Sequence, residues 1–371
     1  MSFASGVLSA VGGRRLVSPR HNPWPLIVLV LVSLVAAAVI ATGIGAVEIE
    51  PGRIVSHGLA WLGLPYPGLS DFEAAVFFSI RLPRTLVAIL VGSTLAIAGV
   101  LMQTFFRNPL AEPSIVGVAS GGALGAVAWI VVGASAGIWT GIPPQFALPV
   151  AAFIGSAIVC GAILLISGDE DGIDSTKMLL SGIAINAIAG AGIGLMTFIA
   201  DDAQLRDMTF WIMGSLSAAS WQQLWVLAPV FVCTMAFAYW FALPLNALLL
   251  GDGAAHHLGL NVRLVKLAVI CLTCLASATV VAMCGVIGFV GLIAPHAARL
   301  LVGPDHRVLL PLSLLLGALL MVGADTVART IVSPSELPIG ILTALAGGPV
   351  FLWLLRRKKA HMRYDRGPRH A

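Results

Sequence analysis

The chain of 371 residues is 58% hydrophobic and only 10% charged, with a formal net charge of +4 and a mean hydropathy of +0.98. A soluble domain carries about 25% charged residues, so this composition excludes an ordinary soluble enzyme or binding module. Apolar runs of about twenty residues recur along the whole chain, and each could cross a bilayer as a helix. Because backbone groups in lipid must be satisfied internally, we expect an all-α polytopic membrane protein.

Ten apolar runs follow one another in chain order. Residues 1–25 are small, polar and basic, and the run after them is longer than the core of a signal peptide, which predicts an uncleaved first span. The predicted membrane domain is 26–356, and the basic tail is 357–371. The predicted spans are 26–46, 82–104, 114–134, 147–167, 178–200, 222–243, 264–284, 286–302, 308–328 and 338–355.

Lysine and arginine are distributed unevenly between the predicted sides of the membrane. Ten spans place both termini on one side, and basic residues favour the cytoplasmic side. With residue 1 in the cytoplasm, 16 of the 21 basic residues lie inside. The five outside are Arg53, Arg81, Arg84, Arg206 and Arg329. Both termini are therefore predicted to be cytoplasmic, and so is the segment 244–266.

The segment 244–266 is too short and polar to be a span, yet rich in leucine. We interpret it as two short amphipathic helices, about 244–262, broken at Gly251 to Gly253 and ended at Gly259. Such a piece at the water face of a membrane domain is suited to be gripped by a soluble partner. A packed interhelical loop is the alternative.

Residues 81–126 and 263–308 share an order of features. Each begins with a basic residue, crosses, turns at a proline and crosses again, and the second copy begins on the opposite side. Transporters are often built from such inverted halves. We therefore expect two inverted-repeat halves.

Few residues suggest metal or phosphate chemistry. The sequence contains no GxxxxGK[ST] loop, which argues against ATP binding of that kind. His256 and His257 are adjacent, which places them on different faces of a helix, so we interpret them as solvated loop residues and not as a pair of metal ligands. Cys271 and Cys274 share a helix face and could form a disulfide or metal pair, but small apolar packing residues fit them better. No metal site is predicted.

The acids near residue 201 raise the alternative of an enzyme. Asp201, Asp202 and Asp207 could hold Mg²⁺ on a diphosphate, as in intramembrane prenyl-transfer enzymes, but a second acidic cluster is missing. We prefer a helix start outside, with Asp201 or Asp202 as the N-cap. A proton-coupled carrier would show ionisable residues at mid-depth. Their near absence indicates that another protein supplies the energy.

Three exterior arginines suggest a docking surface. Arg81 and Arg84 lie on one face at the outer mouth, and Arg329 lies at another outer end. A cationic rim can dock an acidic partner and fix its register. For Arg329 a local ion pair with Asp325, four residues earlier, is the alternative.

Several motifs closely resemble the FecCD family, the permease subunits of bacterial ATP-binding-cassette importers for ferric siderophores, haem and cobalamin. They occur in order and cover about 26–357: RLPRTLVAILVG (81–92), GVLMQTFFRNPLAEPSIVGVASGGALGA (99–126), LLLGDGAAHHLGLNV (248–262), GVIGFVGLIAPHAARLLVGPDHRVLLP (285–311), ADTVART (324–330) and ELPIGILTALAGGPVFLWLL (336–355). The resemblance implies a ten-helix inner-membrane subunit in a homodimer, with two cytoplasmic ATPase subunits and one periplasmic substrate-binding protein. ATP and Mg²⁺ would be bound by the ATPase, and this chain would have no cofactor or nucleic-acid partner.

The resemblance also implies roles for residues. Arg81, Arg84 and Arg329 would pair with glutamates of the binding protein. The ATPase would contact the coupling helices at Gly251, Asp252, Gly253, Ala254, Ala255, Leu258 and Gly259, where Asp252 replaces the family's usual glutamate. Residues of the path or inner gate would be Met102, Gln103, Asn108, Leu110, Ser175, Thr176 and Asn186. Segments 201–221 and 336–355 look most like haem permeases, with a ferric siderophore or cobalamin as the alternative substrate.

Overall fold

The computed structural model describes residues 22–45, 49–61, 64, 68–133, 143–169 and 172–364, and helices dominate them. The helices are α1 Trp24–Gly43, α2 Pro51–Trp61, α3 Asp71–Val76, α4 Leu82–Phe105, α5 Val118–Ala128, α6 Pro144–Ser167, α7 Ser175–Ile199, α8 Asp202–Ile212, α9 Trp221–Trp240, α10 Ala242–Leu248, α11 Asp252–His257, α12 Val262–Cys284, α13 Val290–Val302, α14 His306–Thr330 and α15 Ile339–Tyr364. A π-helical turn, Phe77–Arg81, joins α3 to α4, and another, Trp129–Gly133, extends α5.

Seven helical segments are long and apolar enough to cross a membrane. They are Trp24–Gly43, Asp71–Phe105, Gln145–Ser167, Ser175–Ile199, Trp221–Trp240, Val262–Cys284 and His306–Thr330. Three shorter apolar helices, Val118–Gly133, Val290–Val302 and Ile339–Leu352, occupy the places of the other predicted spans. The architecture is thus a helical membrane bundle, as predicted, while the count of ten spans and the inverted repeat stay predictions.

A minimal β-hairpin connects α6 to α7. Its strands are β1 Gly168–Asp169 and β2 Gly172–Ile173, paired antiparallel with Asp169 opposite Gly172. Asp174 follows at once as the N-cap of α7, and its carboxylate accepts the backbone N–H groups of Thr176 and Lys177. These two hydrogen bonds lower the pKa of Asp174 below its ordinary value. The all-α prediction did not include this hairpin, which lies only in the connection between α6 and α7.

Helix α4 forms the centre of the bundle, and its side chains from Ser93 to Phe105 are almost all buried. Helix α14 packs along it more extensively than any other described element. The two backbones approach closely at glycines: a Cβ atom added to Gly317 would lie 2.4 Å from the carbonyl oxygen of Gly92. Small residues permit such close helix contacts in membranes, where apolar burial alone gives no driving force.

The connection between α4 and α5 is more deeply placed than a simple surface turn. A short 3₁₀ turn, Pro113–Val116, precedes α5, and Gly117 enters the helix with φ +72°. Glu112, just before this turn, lines a small cavity together with Leu95, which lies in the middle of α4. The expectation of an almost charge-free interior therefore overlooked a carboxylate that the chain folds back into the bundle.

Two short helices, α10 and α11, occupy most of the segment 244–266, although α10 already begins at Ala242 and α12 begins at Val262. The break between them falls at residues 249–251, with Gly251 at φ +107°, and Gly259 ends the segment at φ +81°. Gly253 lies inside α11, so the break is shorter than predicted. Only glycine adopts these left-handed conformations readily, which explains why the helices stop at these positions.

The N-cap prediction near residue 201 is confirmed. The Asp201 side chain accepts the backbone N–H of Gln204, and the Gln204 side chain in turn accepts the N–H of Asp201. Such a reciprocal capping box satisfies two of the free donors at the start of α8. The carboxylate of Asp201 therefore has a structural role at a helix start.

Candidate functional site

Two polar clusters lie at opposite ends of α4. Arg81 and Arg84 are at its N-terminal end, and Arg107 follows its C-terminal end. At 1.5 Å per residue, the 24 residues of α4 separate the two ends by about 36 Å. This is about the thickness of a bilayer, so the two clusters occupy the two membrane faces.

The arginine cluster consists of Arg81, Arg84, Asp325, Arg329 and Glu336. Arg84 is 8% exposed, and its Nη2 lies 2.9 Å from Asp325 Oδ1. Its Nη1 and Nη2 donate to the two carboxylate oxygens of Glu336 at 2.8 and 3.0 Å. Arg329 Nε lies 3.1 Å from Asp325 Oδ2, which confirms the ion pair expected from their four-residue spacing. The planar guanidinium suits such paired contacts with a carboxylate.

Two of these arginines also hold the C-terminal end of α1. Arg81 Nη1 donates to the carbonyl oxygens of Thr42 and Gly43 at 3.0 and 2.7 Å. Arg329 donates to two more carbonyls of the same helix end, at 3.0 and 3.1 Å. The last carbonyls of a helix lack intrahelical partners and carry partial negative charge, so they attract cations. The cluster thus joins α1, α4, α14 and the segment before α15.

The predicted docking arginines are therefore close together but mostly covered. Arg81 is 6% exposed, and the side chain of Arg329 is 9% exposed. The side chain of Glu336, by contrast, is 40% exposed. An acidic partner at this surface would compete with Glu336 for Arg84. The docking role stays a prediction.

At the opposite end, Asp252 anchors α11 to the rest of the bundle. Its Oδ2 lies 2.6 Å from Lys266 Nζ on α12, and its Oδ1 lies 3.4 Å from Arg107 Nη2. Lys266 is 7% exposed and also donates to the Ile173 carbonyl at 3.4 Å. Because Lys266 is buried, its contact with Asp252 is the stronger of the two, while the exposed Arg107 contributes little. The ion pair therefore joins α11 directly to α12.

The remaining residues that were predicted to contact an ATPase differ in how far they are exposed to solvent. Ala255 is fully buried and fixes the inner side of α11. The exposed ones are Gly253, Ala254, Leu258 and Gly259. Leu258 is an apolar side chain that is 49% exposed, and His256 and His257 beside it are exposed, as predicted. An anchored helix with an open apolar edge is suited to contact a soluble partner, and the contact itself stays a prediction.

A second anchor, which sequence reasoning missed, ties α10 to α14 and α4. Asn246 Nδ2 donates to Asp305 Oδ1 at 2.8 Å, and Asn246 Oδ1 lies 2.6 Å from His306 Nδ1. The other ring nitrogen of His306 lies 2.7 Å from Thr104 Oγ1. Burial opposes ionisation of Asp305, but hydrogen bonds from Asn246 and the Arg307 N–H lower the pKa of its carboxyl below the ordinary value. Asn246 lies 60 residues before His306, so the sequence gives no signal for this network.

Two of the predicted path residues lie between helices. Met102 and Gln103 are fully buried in α4. Gln103 Nε2 donates to the Leu292 carbonyl at 3.4 Å, and its Oε1 accepts a hydrogen bond from Arg299 Nη2 at 3.1 Å. These contacts bind α4 to α13. A path lined by Met102 and Gln103 would need these helices to separate, and that role stays a prediction.

The other predicted path and gate residues are more accessible. Asn186, in α7, is partly buried and accepts a hydrogen bond from Ser120 Oγ of α5. Thr176, at the start of α7, is exposed. The rest of the set is divided, with Asn108 exposed and Leu110 and Ser175 partly buried. The role of these residues in a translocation path or gate stays a prediction.

The described part of the chain has no group of three or more His, Cys, Asp or Glu side chains that could hold a metal ion. All five cysteines are free thiols. Cys274 is buried in the bundle core and Cys271 is exposed on the helix surface. The placement of Cys274 agrees with a packing residue, whereas the exposed Cys271 does not pack in the core.

The bundle and its two polar ends define a multi-pass membrane subunit that presents an anchored helix pair on one face. The FecCD transport family matches residues 28–357, and the chain belongs to this family. It is therefore an ABC importer permease and not an enzyme, and ATP hydrolysis is carried out by a separate ATPase subunit.

Named relatives cover nearly the whole chain. The hemin transport system permease of Yersinia pestis is 42% identical over 92% of this chain and 98% of its own. The cobalamin import system permease of Halobacterium salinarum is 39% identical over 96% of each chain. The Fe(3+)-citrate import system permease of Bacillus subtilis is 35% identical over 92% of this chain and 98% of its own.

A solved structure supports the same fold. It shows an ABC transporter assigned to the metal-chelate type, in an inward-facing conformation. It is 33% identical, with a TM-score of 0.78, and covers 90% of this chain and 99% of its own.

Proposed function

We propose that this chain is the permease subunit of an ATP-driven importer that moves haem across the bacterial inner membrane. The observation that carries the substrate proposal is the 42% identity to a hemin transport system permease along 98% of that protein. The resemblance of segments 201–221 and 336–355 to haem permeases supports it. Haem is the cargo, and this chain needs no resident cofactor.

The proposed assembly has two copies of this chain, two cytoplasmic ATPase subunits that bind ATP and Mg²⁺, and one periplasmic binding protein. Each permease subunit is a single domain of ten spans in two inverted halves, with cytoplasmic termini. The positive-inside distribution, 16 basic residues against five, supports this orientation. The position of the arginine cluster and of α11 at opposite ends of α4 is consistent with it.

The ATPase would act through α11. Closure of the ATPase dimer would displace this helix, and the Asp252–Lys266 ion pair would pass the displacement to α12. The Asn246–His306 contact would pass it to α14. Rocking of the membrane halves would then open one gate while the other shuts. A Gly259→Pro change, which cannot adopt φ +81°, should uncouple ATP hydrolysis from transport.

Growth of an iron-starved deletion strain tests the substrate. The strain would be complemented with this chain and its neighbouring transporter genes and given haem, a hydroxamate siderophore or a catecholate siderophore as the sole iron source. Rescue by haem alone supports the proposal. Rescue by a siderophore and not by haem would discard the substrate and keep the transport class.

Cobalamin is the second candidate substrate, because the cobalamin permease of Halobacterium salinarum is 39% identical over 96% of both chains. Uptake of radiolabelled cobalamin by proteoliposomes containing the full complex would identify it.

A further inference from the structure

A half-buried carboxylate, Glu112, meets a strained backbone where α13 begins. Phe289 precedes α13 and has φ +66° and ψ −20°, the left-handed conformation. A bulky residue adopts it only where the surroundings enforce it, and such sites often mark function. The backbone N–H of Phe289 donates to Glu112 Oε1. Its carbonyl accepts the N–H groups of Leu292 and Ile293 in the first turn of α13, so this backbone sets the start of the helix.

Glu112 is half-buried between helices of the bundle. It lines a cavity with Leu95 of α4, Ser277 of α12 and Gly291 of α13. Leu95 is ten residues before the end of α4, or about 15 Å along the helix. Partial burial of a carboxylate is costly unless hydrogen-bond donors reach it. Ser114 Oγ donates to its second oxygen at 3.3 Å, in addition to the Phe289 N–H.

The ring of Phe289 in turn lies on α15. A Cβ atom added to Gly347 would sit 2.1 Å from Phe289 Cγ, so the ring fills the space that the missing side chain leaves. Helix α15 packs chiefly on α13 and α14. The N-terminal end of α15 is held by two backbone hydrogen bonds. The N–H of Ile339 donates to the Gly214 carbonyl at 3.0 Å, and the N–H of Gly340 donates to the Met213 carbonyl at 3.1 Å. The Phe289 ring therefore holds the middle of α15.

We propose that Glu112 is a positioning residue for transport: it holds the Phe289 backbone in its left-handed conformation and so seats the ring against Gly347 of α15. The chain Glu112–Phe289–Gly347, called the latch below, connects the segment before α5 to α15 across 235 residues of sequence. Its importance for transport rests on the proposed importer function, whereas its existence does not.

A thermal double-mutant cycle on the purified complex tests the latch without transport. Glu112→Leu and Gly347→Ala each disturb one end, and Phe289 contacts both residues, so their shifts in thermal midpoint should be non-additive. Gly348→Ala is the matched control, because a Cβ there meets nothing within 4 Å. Its shift should add to that of Glu112→Leu. Additive shifts for the Gly347 pair would overturn the latch.

Haem uptake by the reconstituted complex, with ATP hydrolysis measured alongside, tests the positioning role. Glu112→Gln keeps an oxygen acceptor for the Phe289 N–H and should transport within about threefold of wild type, whereas Glu112→Leu should lose about tenfold. Gly347→Ala should also reduce uptake per ATP hydrolysed, and Gly348→Ala should not. A Gln variant as impaired as the Leu variant would show that charge matters and overturn the proposal. So would equal effects at the two glycines.

The two readouts separate the latch from the importer function. If the wild-type complex transports none of the candidate substrates, the proposed function fails while the thermal cycle still decides the latch. If the shifts are non-additive but Glu112→Leu transports normally, the positioning role is wrong. If Glu112→Leu does not assemble, Glu112→Asp replaces it in both experiments, because its shorter side chain draws the carboxylate away from the Phe289 N–H. Additive shifts with Gly347→Ala, or uptake equal to that of Glu112→Gln, would then overturn the proposal.

Discussion

The close contact between α4 and α14 predicts opposite effects of the same substitution at two glycines of α14. At Gly317 a Cβ atom would lie 2.4 Å from the Gly92 carbonyl oxygen and 2.6 Å from Ala96 Cβ. At Gly323, in the same helix, an added Cβ meets nothing within 4 Å. Gly317→Ala and Gly323→Ala therefore add the same methyl group to the same helix and differ only in what it meets.

The magnitudes follow from two opposing terms. Replacing glycine by alanine in a helix interior favours folding by about 1 kcal/mol, and we expect Gly323→Ala to gain up to this amount. At Gly317 the same gain is opposed by a clash with backbone, which flexible side chains cannot relieve. Ordinary contact begins near 3.4 Å, so α4 and α14 would have to separate by about 1 Å. Overpacking of this kind costs about 1–3 kcal/mol, and subtracting the gain of about 1 kcal/mol leaves a net loss of up to about 2 kcal/mol.

Buried thiols provide the assay. Cys160, Cys274 and Cys284 are buried and should react with a thiol-specific dye only when the bundle opens, while Cys233 and Cys271 are exposed and set the baseline. Unfolding of the detergent-solubilised protein would be followed on heating. The midpoint should fall for Gly317→Ala and stay or rise for Gly323→Ala. Equal shifts at both positions would refute the close helix contact.

Three further predictions concern charged residues. Arg84→Gln should lower the free energy of unfolding by about 3 kcal/mol, because it leaves Asp325 buried with one partner fewer; a loss of binding-protein affinity at unchanged stability would instead make Arg84 a docking residue. Asp252→Arg should place a cation beside Lys266 and abolish ATP-driven uptake while ATP hydrolysis continues, so normal uptake would exclude coupling through α11. The pKa of Asp174 is lowered, so its capping contributes stability above the ordinary carboxyl pKa of about 4, and this is lost as the pH falls through the lowered value. Asp174→Asn should therefore flatten the acid side of the stability–pH curve, measured by thermal midpoint, and an unchanged curve would contradict the cap.

Features that depend on neighbours in the chain were predictable from the sequence. The apolar runs predicted the helical membrane bundle, because helix length and hydropathy are local properties. The capping box at Asp201 and the pair of Asp325 with Arg329 follow from spacings of three and four residues. The glycines at 251 and 259 predicted where the short helices α10 and α11 would stop. These parts of the candidate site depend only on contacts between residues within about one helical turn of each other.

What lies between distant helices was decided only by the tertiary structure. Arg84 and Glu336 are 252 residues apart, and Glu112 and Phe289 are 177 apart. Hydrophobic periodicity reports which face of a helix is buried, and in a membrane helix nearly every face is apolar, so it gives neither the partner nor the register. The depth of Glu112 depends on how the segment after α4 folds back. It was therefore the packing of the bundle that brought Glu112 of a predicted surface turn against α13 and covered the predicted docking arginines.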